Sequence, residues 1–263
     1  LENPLGLGVT NQWVFVSNLF GSRIDVFDTS GGFIKSVNTS EISKQPLSII
    51  GVIEKRYLVV KNAIIGEAGI LVTVLDIESD FGIYNQFKAL EETTIEIPGG
   101  GQIGKDASVV DDRIIVAGAM SYVMDYYNKE GTIEKKVKRD FSNFFRAGVY
   151  DSGERGYAVQ FGGLSRLYTV AENYMITNVV WPTSFDDPDK VAEEVFKGEF
   201  RELVSKNALD IFIAEGKLLY SIESDGFTPE IGKLKHADKK GFLYTASNIP
   251  FPQVRKYKVT IQD

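Results

Sequence analysis

Phe27-Asp28-Thr29-Ser30-Gly31 and, far downstream, Tyr127-Asn128-Lys129-Glu130-Gly131 each close one short β-branched run and open another. Aspartate or asparagine followed by a glycine three residues on is hairpin chemistry. The short polar side chain caps the turn, and glycine takes the positive φ that the turn demands. Around the first copy lie the runs 7–10, 13–17, 23–28 and 33–37, each strand-sized and several alternating in period two. Short strands joined this tightly predict an antiparallel meander.

The same pattern recurs along the chain, and recurrence at a fixed period is the mark of a repeat architecture. A second, looser unit holds 47–52, 56–60 and 69–76; a third runs from Val109 through Tyr127 to Val137. The fourth reads 147–150, 156–160, 166–170 and 175–180; the fifth reads 211–214, 217–222 and 230–234; the last holds 241–245 and 254–261. Six units in 263 residues match the spacing of propeller blades, roughly 40–50 residues each. The expectation is therefore an all-β, six-bladed propeller of four-stranded antiparallel blades, forming a single domain over 1–263. A two-sheet sandwich also uses short, evenly spaced strands, but the repeated aromatic-Asp turn favours blades. The sixth unit is one strand short, so a strand from the other terminus is expected to complete it. Asp187 as N-cap, Pro188 at the first helical position and Gly198 past the end predict a short helix over 188–197. It is expected as an insertion between blades four and five.

The run 24–34 (Ile-Asp-Val-Phe-Asp-Thr-Ser-Gly-Gly-Phe-Ile), together with 123–131 and 255–259, resembles bacterial six-bladed propellers of the TolB-like or NHL-like kind. The resemblance implies a non-catalytic, extracytoplasmic protein, secreted or lipid-anchored, in the periplasm or at the cell surface. On that basis a secretion or lipoprotein signal is expected upstream of Leu1. The implied partner is a protein or a carbohydrate, met by loops on one face or at the channel mouth, since loops vary freely while strands are committed to packing.

Composition removes most other chemistries. There is no cysteine and one histidine, His236, so thiolate and multi-histidine metal sites and a cysteine nucleophile are excluded. The net charge of −7 disfavours a nucleic-acid backbone, which needs a basic stripe. No run reaches the ~18 apolar residues of a membrane helix. Residues 98–106 match both a dinucleotide fingerprint and most of a phosphate loop, with Asp106 where a hydroxyl should hold magnesium. A strand pair follows instead of a helix, so the segment reads as a connecting loop. Asp186, Asp187, Asp189, Glu193 and Glu194 could offer oxygens to calcium, yet their order is that of a capped helix start. His236 lies among lysines with no nucleophile elbow in the chain, and reads as a surface residue. The basic runs 135–139 and 235–240 read as solvated strand edges. Asn38-Thr39-Ser40 is a formal glycosylation sequon. No catalytic, cofactor or metal residue is assigned and no cofactor is expected. The functional expectation is a binding or scaffold propeller, with a calcium-dependent, lactonase-like hydrolase and an RNA-binding NHL-like module as alternatives.

Overall fold

A computed structural model describes residues 4–18, 22–44, 46–63, 70–89, 106–118, 121–140, 147–153, 156–160, 162–164, 167–171, 173–183, 187–199, 205–226, 229–247 and 251–261. Strands β1 (Pro4–Val9), β2 (Trp13–Asn18), β3 (Arg23–Asp28) and β4 (Phe33–Asn38) form one antiparallel meander. A second contains β5 (Ser48–Ile53), β6 (Tyr57–Ala63), β7 (Ile70–Asp76) and β8 (Gly82–Ala89). The third contains β9 (Asp106–Val110), β10 (Arg113–Ala117), β11 (Val123–Tyr127) and β12 (Ile133–Lys138). Inner strands such as β7 and β11 are buried almost throughout, whereas β4 and β12 are largely exposed. A sheet covered on both faces needs apolar side chains on both, which is why the inner strands read as continuous apolar runs.

After the third meander the observed pairing departs from the expected one. Among the described residues β13 (Ala147–Asp151) and β14 (Gly156–Gln160) pair only with each other. β15 (Gly163–Leu164) and β16 (Tyr168–Val170) both lie along one edge of β17 (Tyr174–Pro182). Their registers differ by one residue, so together they are a single interrupted strand. β17 then pairs with β18 (Ser205–Ile213) over nine residues, from Tyr174 opposite Ile213 to Pro182 opposite Ser205, and β18 pairs with β19 (Leu218–Asp225). The helix α1 (Pro188–Phe196) therefore sits inside this blade, between its second and third strands, and not between two blades. The last sheet is β20 (Lys233–Ala237), β21 (Phe242–Ser247) and β22 (Gln253–Lys258).

The fold is an all-β propeller, and among the described residues it has five blades, not six. The expected fourth and fifth units overcount because 166–180 belongs with 205–225 and 230–234 belongs with the last blade; the remaining pair, β13 and β14, is no blade. Among the described residues the last blade has three strands, and β1 pairs within the first blade instead of completing it.

The turns follow the sequence closely. Asp28 N–H donates to Gly32 O and Gly31 N–H to Asp28 O; the same two bonds recur at Asn128 with Thr132 and Gly131, and at Asp238 with Phe242 and Gly241. In each, the side-chain oxygen of the first residue also accepts from the backbone N–H four residues on, at 2.8–2.9 Å. The glycines sit at φ 92°, 78° and 81°. A buried acid stands three residues before such a turn on the third strand of three blades: Asp25, Asp125 and Asp210, the last preceding the equivalent Ile213–Lys217 turn.

Two compact units make up the chain: Leu1–Glu91 with Ala107–Val116 and Asp125–Lys136, and Glu92–Asp106 with Ala117–Met124 and Val137–Asp263. In the first, Phe15, Ile24, Val26, Ile49, Leu58, Val60 and Leu75 close one core between the first two blades, and Val59, Val72, Val74, Ile114 and Val116 build a second. Gly6 makes the first possible, since a Cβ there would lie 2.5 Å from Ile49 N. The other unit has its own core of Val170, Ile176, Leu209, Ile211, Leu234 and Leu243. In this unit α1 lies across β13, with Asp189 Oδ1 accepting from Val149 N–H at 2.8 Å and Phe196 against Tyr150.

Candidate functional site

Two clefts that share Gln12, Trp13, Ile77 and Glu78 open where the β1–β2, β5–β6 and β7–β8 turns meet. The larger, about 450 Å³, is floored by Trp13, Phe15, Val26, Ile34, Ile77 and Phe81, with Lys35 and Glu78 at its rim; the smaller, about 290 Å³, adds Lys55 and Arg56. This apolar floor with a few polar groups is the usual make-up of a small-molecule site.

Each wall has a local cause. Thr10 Oγ1 accepts from Trp13 N–H at 3.0 Å and fixes the start of β2, leaving the indole half-buried. Phe81 meets Phe15 edge to face at 5.9 Å and carries the Lys35 ammonium 5.1 Å above its ring, while Lys35 pairs with Asp80. Arg56 donates to both oxygens of Asp76, at 2.9 and 2.6 Å, and its third nitrogen reaches Glu78 at 3.0 Å. Asp76 accepts as well from Glu78 N–H and Ser79 Oγ–H. The Arg56 hydrogen bonds, outweighing desolvation, hold the Asp76 carboxyl far below the usual carboxylate range and raise Arg56 in turn. Because the folded pKa is the depressed one, this pair stabilises the fold fully above the unfolded carboxylate pKa of about 3.9. The contribution fades below that pH and is gone once pH passes the folded value. Asp76→Asn is thus expected to lower the urea midpoint at pH 7 and to converge on the wild type in strong acid. A constant offset from pH 7 to pH 2 would contradict this.

A second polar cluster is enclosed. Asp210 is fully buried; its Oδ2 accepts from Tyr122 O–H at 2.5 Å and from Arg139 Nη1 at 2.7 Å, while Oδ1 has no hydrogen-bond partner. Burial, with the Asp210 charge beside it, pushes the Tyr122 hydroxyl well above the usual phenol range. The cluster's carboxylate and hydroxyl are buried and Arg139 alone reaches solvent in part, so it acts as a clasp within its unit.

The segments weighed on sequence grounds are scattered. Residues 98–105 lie outside the described residues, as does Asp186, while Asp106 begins β9. Asp187 caps α1 by accepting from Asp189 N–H and Lys190 N–H, Asp189 anchors the helix to β13, and Glu193 pairs with Lys197. Among the described residues no group of three or more His, Cys, Asp or Glu could hold a metal ion. His236 is exposed on β20, between the rings of Tyr168 and Tyr244. Within the basic run, Lys136 pairs with Asp125 and Arg139 with Asp210, so two of its charges are already spent inside the protein. No described helix is long and apolar enough to cross a membrane. The cleft was missed because Trp13 reads equally well as a strand residue. Its signal is an indole beside a polar turn, with a second polar turn at 54–56.

No protein-family model matches the chain, and no curated protein does. Among solved structures, a member of the DUF4221 family from Bacteroides vulgatus is similar over 95% of this chain and 76% of its own, with TM-score 0.55 at 11% identity. Hydrazine synthase of Kuenenia stuttgartiensis is similar over 92% of this chain at TM-score 0.48 and 12% identity; the chain spans 61% of that protein's length. Virginiamycin B lyase from Staphylococcus aureus is similar over 98% of this chain and 85% of its own, at TM-score 0.44 and 9% identity. At such identities the likeness is one of fold.

Proposed function

We propose that this propeller is a non-catalytic binding module whose ligand sits in the cleft between its first two blades. The observation that carries the reading is the Trp13 cleft: an aromatic floor of ligand size, framed by turns, whose wall groups Arg56, Glu78 and Lys35 are held by ion pairs. Those ion pairs shape the cleft. An extracytoplasmic location and kinship to TolB-like or NHL-like propellers belong to the same proposal and rest on the repeated aromatic-Asp turns. Their check is the sequence upstream of Leu1, where an initiator Met directly before it, with no signal, would defeat the placement.

The binding test is a fragment library screened by ligand-observed NMR against the wild type, Trp13→Ala and Ile222→Ala, the last altering an exposed residue of β19. Aromatic and sugar fragments should bind the wild type and Ile222→Ala alike and weaken about tenfold in Trp13→Ala, the effect of losing about 1.4 kcal/mol of ring contact. Binding indifferent to Trp13 would refute the site. Turnover of ester, lactone or glycoside substrates that disappears on calcium chelation would replace this reading with the hydrolase.

A further inference from the structure

We infer that the cleft selects ligands carrying a carboxylate beside a flat apolar body, with Lys55 as the group that reads the acid; this rests on the binding role proposed above. The argument is one of charge pairing at the rim. Among the described residues three cations line the two adjoining clefts, Lys55 and Arg56 the smaller and Lys35 the larger. Arg56 is shared between Asp76 and Glu78, and Lys35 is paired with Asp80. Among the described residues, Lys55 is the rim ammonium with no carboxylate partner.

Its backbone adds a second observation. Glu54 and Lys55, with φ 51° and 58°, are the central residues of the turn closed by the Arg56 N–H to Ile53 O bond between β5 and β6. That conformation favours Asn-Gly, and an ordinary side chain there is strained by about 1 kcal/mol or more. Glu54 is accounted for: its N–H donates to Asp112 Oδ1 at 2.8 Å, and its carboxylate takes Lys129 at 2.5 Å. Among the described residues Lys55 has no such bond, and with Arg56 it is what this turn presents to the smaller cleft. The same left-handed pair recurs at Asp111 and Asp112, so this is hairpin geometry that the chain uses elsewhere, and here it sets Lys55 beside the cleft.

The ligand's other half follows from the floor. Trp13, Ile34, Ile77 and Phe81 offer flat apolar surface, and about 450 Å³ suits one ring with a short chain. The Glu78 carboxylate lines both clefts and disfavours a second acid on the ligand. A monocarboxylate is therefore favoured over a dicarboxylate, and a cation would meet Lys55 unfavourably.

The test uses three probes of one shape: 4-phenylbutyrate, 4-phenylbutanol and 4-phenylbutylamine, titrated into the whole chain while tryptophan fluorescence is followed. The carboxylate should bind about three- to fivefold more tightly than the alcohol, the gain from one solvent-facing ion pair, and the amine most weakly. Lys55→Asn keeps a residue that tolerates positive φ and removes the charge; it should bring the carboxylate down to the alcohol and leave the alcohol unchanged. An alcohol or amine binding as tightly as the carboxylate would overturn the inference while leaving the cleft a binding site. So would a carboxylate preference that survives Lys55→Asn. No saturable response to any probe, with none lost in Trp13→Ala, would overturn the binding role itself.

Discussion

Replacing Asp210 by alanine is expected to lower stability by about 3 kcal/mol, near the bottom of the range for removing one partner of a buried ion pair. The lower end applies because the Arg139 side chain keeps 27% of its surface in solvent and can recover part of its hydration. Tyr122 cannot, being buried, so its hydroxyl loses its acceptor in a place water does not reach. For a chain of this size the melting temperature should fall by roughly 6–12 °C. Asp210→Asn retains an oxygen that can accept from both donors and exchanges only charged for neutral hydrogen bonds, so it should cost about 1 kcal/mol. Urea denaturation followed by near-UV circular dichroism separates the two variants. If alanine and asparagine were equally mild, the clasp would contribute little and the orphaned Oδ1 would be its signature of imperfection.

The second large effect is expected at Gly148. A Cβ on this residue would stand 1.9 Å from the carbonyl oxygen of Pro188 and 2.5 Å from its carbon, both main-chain atoms of the first helical turn. No side-chain rotation relieves that overlap, so α1 must lift away from β13. Overpacking of this kind costs about 1–3 kcal/mol, and Gly148→Ala belongs at the upper end because the displaced neighbour is backbone. The helix should lose the Val149–Asp189 hydrogen bond and the Tyr150–Phe196 contact together. Ala192 is the other close neighbour, at 3.0 Å, and Ala192→Gly in the same chain should not restore stability. Recovery in that double variant would show that the side chain, not the Pro188 carbonyl, sets the limit. Thermal melts and amide exchange of residues 188–196 are the measurements.

Local chemistry was legible in the sequence wherever a residue's role depends on its immediate neighbours. Asp28 and Asn128 form the turns their glycines announce, Asp187 caps the helix that Pro188 begins, and Gly198 leaves it at φ 75°. Pairing partners were not legible. The strand 175–180 looks like the end of one repeat because nothing local shows that it will find 205–213 on the far side of a helical insertion. The resulting overcount of blades is a misassignment across a gap, not a failure to recognise strands. The cleft was hidden for the same reason. Trp13, Arg56 and Phe81 each belong to a different hairpin, and only strand register decides which turns open side by side.

Asp25, Asp125 and Asp210 occupy one position in three blades, yet their companions differ. Asp25 has Asn18, Arg23 and Ser36; Asp125 has Lys136; Asp210 has Tyr122 and Arg139. A chain of similar repeats risks assembling with a strand borrowed from the wrong neighbour, since apolar faces are nearly interchangeable. Each acid makes that exchange expensive, because a carboxylate carried into another blade, or slipped by one residue onto the opposite face, would be buried among groups that cannot receive it. The cost then falls on the misassembled chain and not on the native one. Thr73 on β7 is the buried residue at that position of the second blade, and exchanging the two side chains, in a chain with Asp25→Thr and Thr73→Asp, should therefore slow refolding and favour aggregation by more than its effect on native stability accounts for.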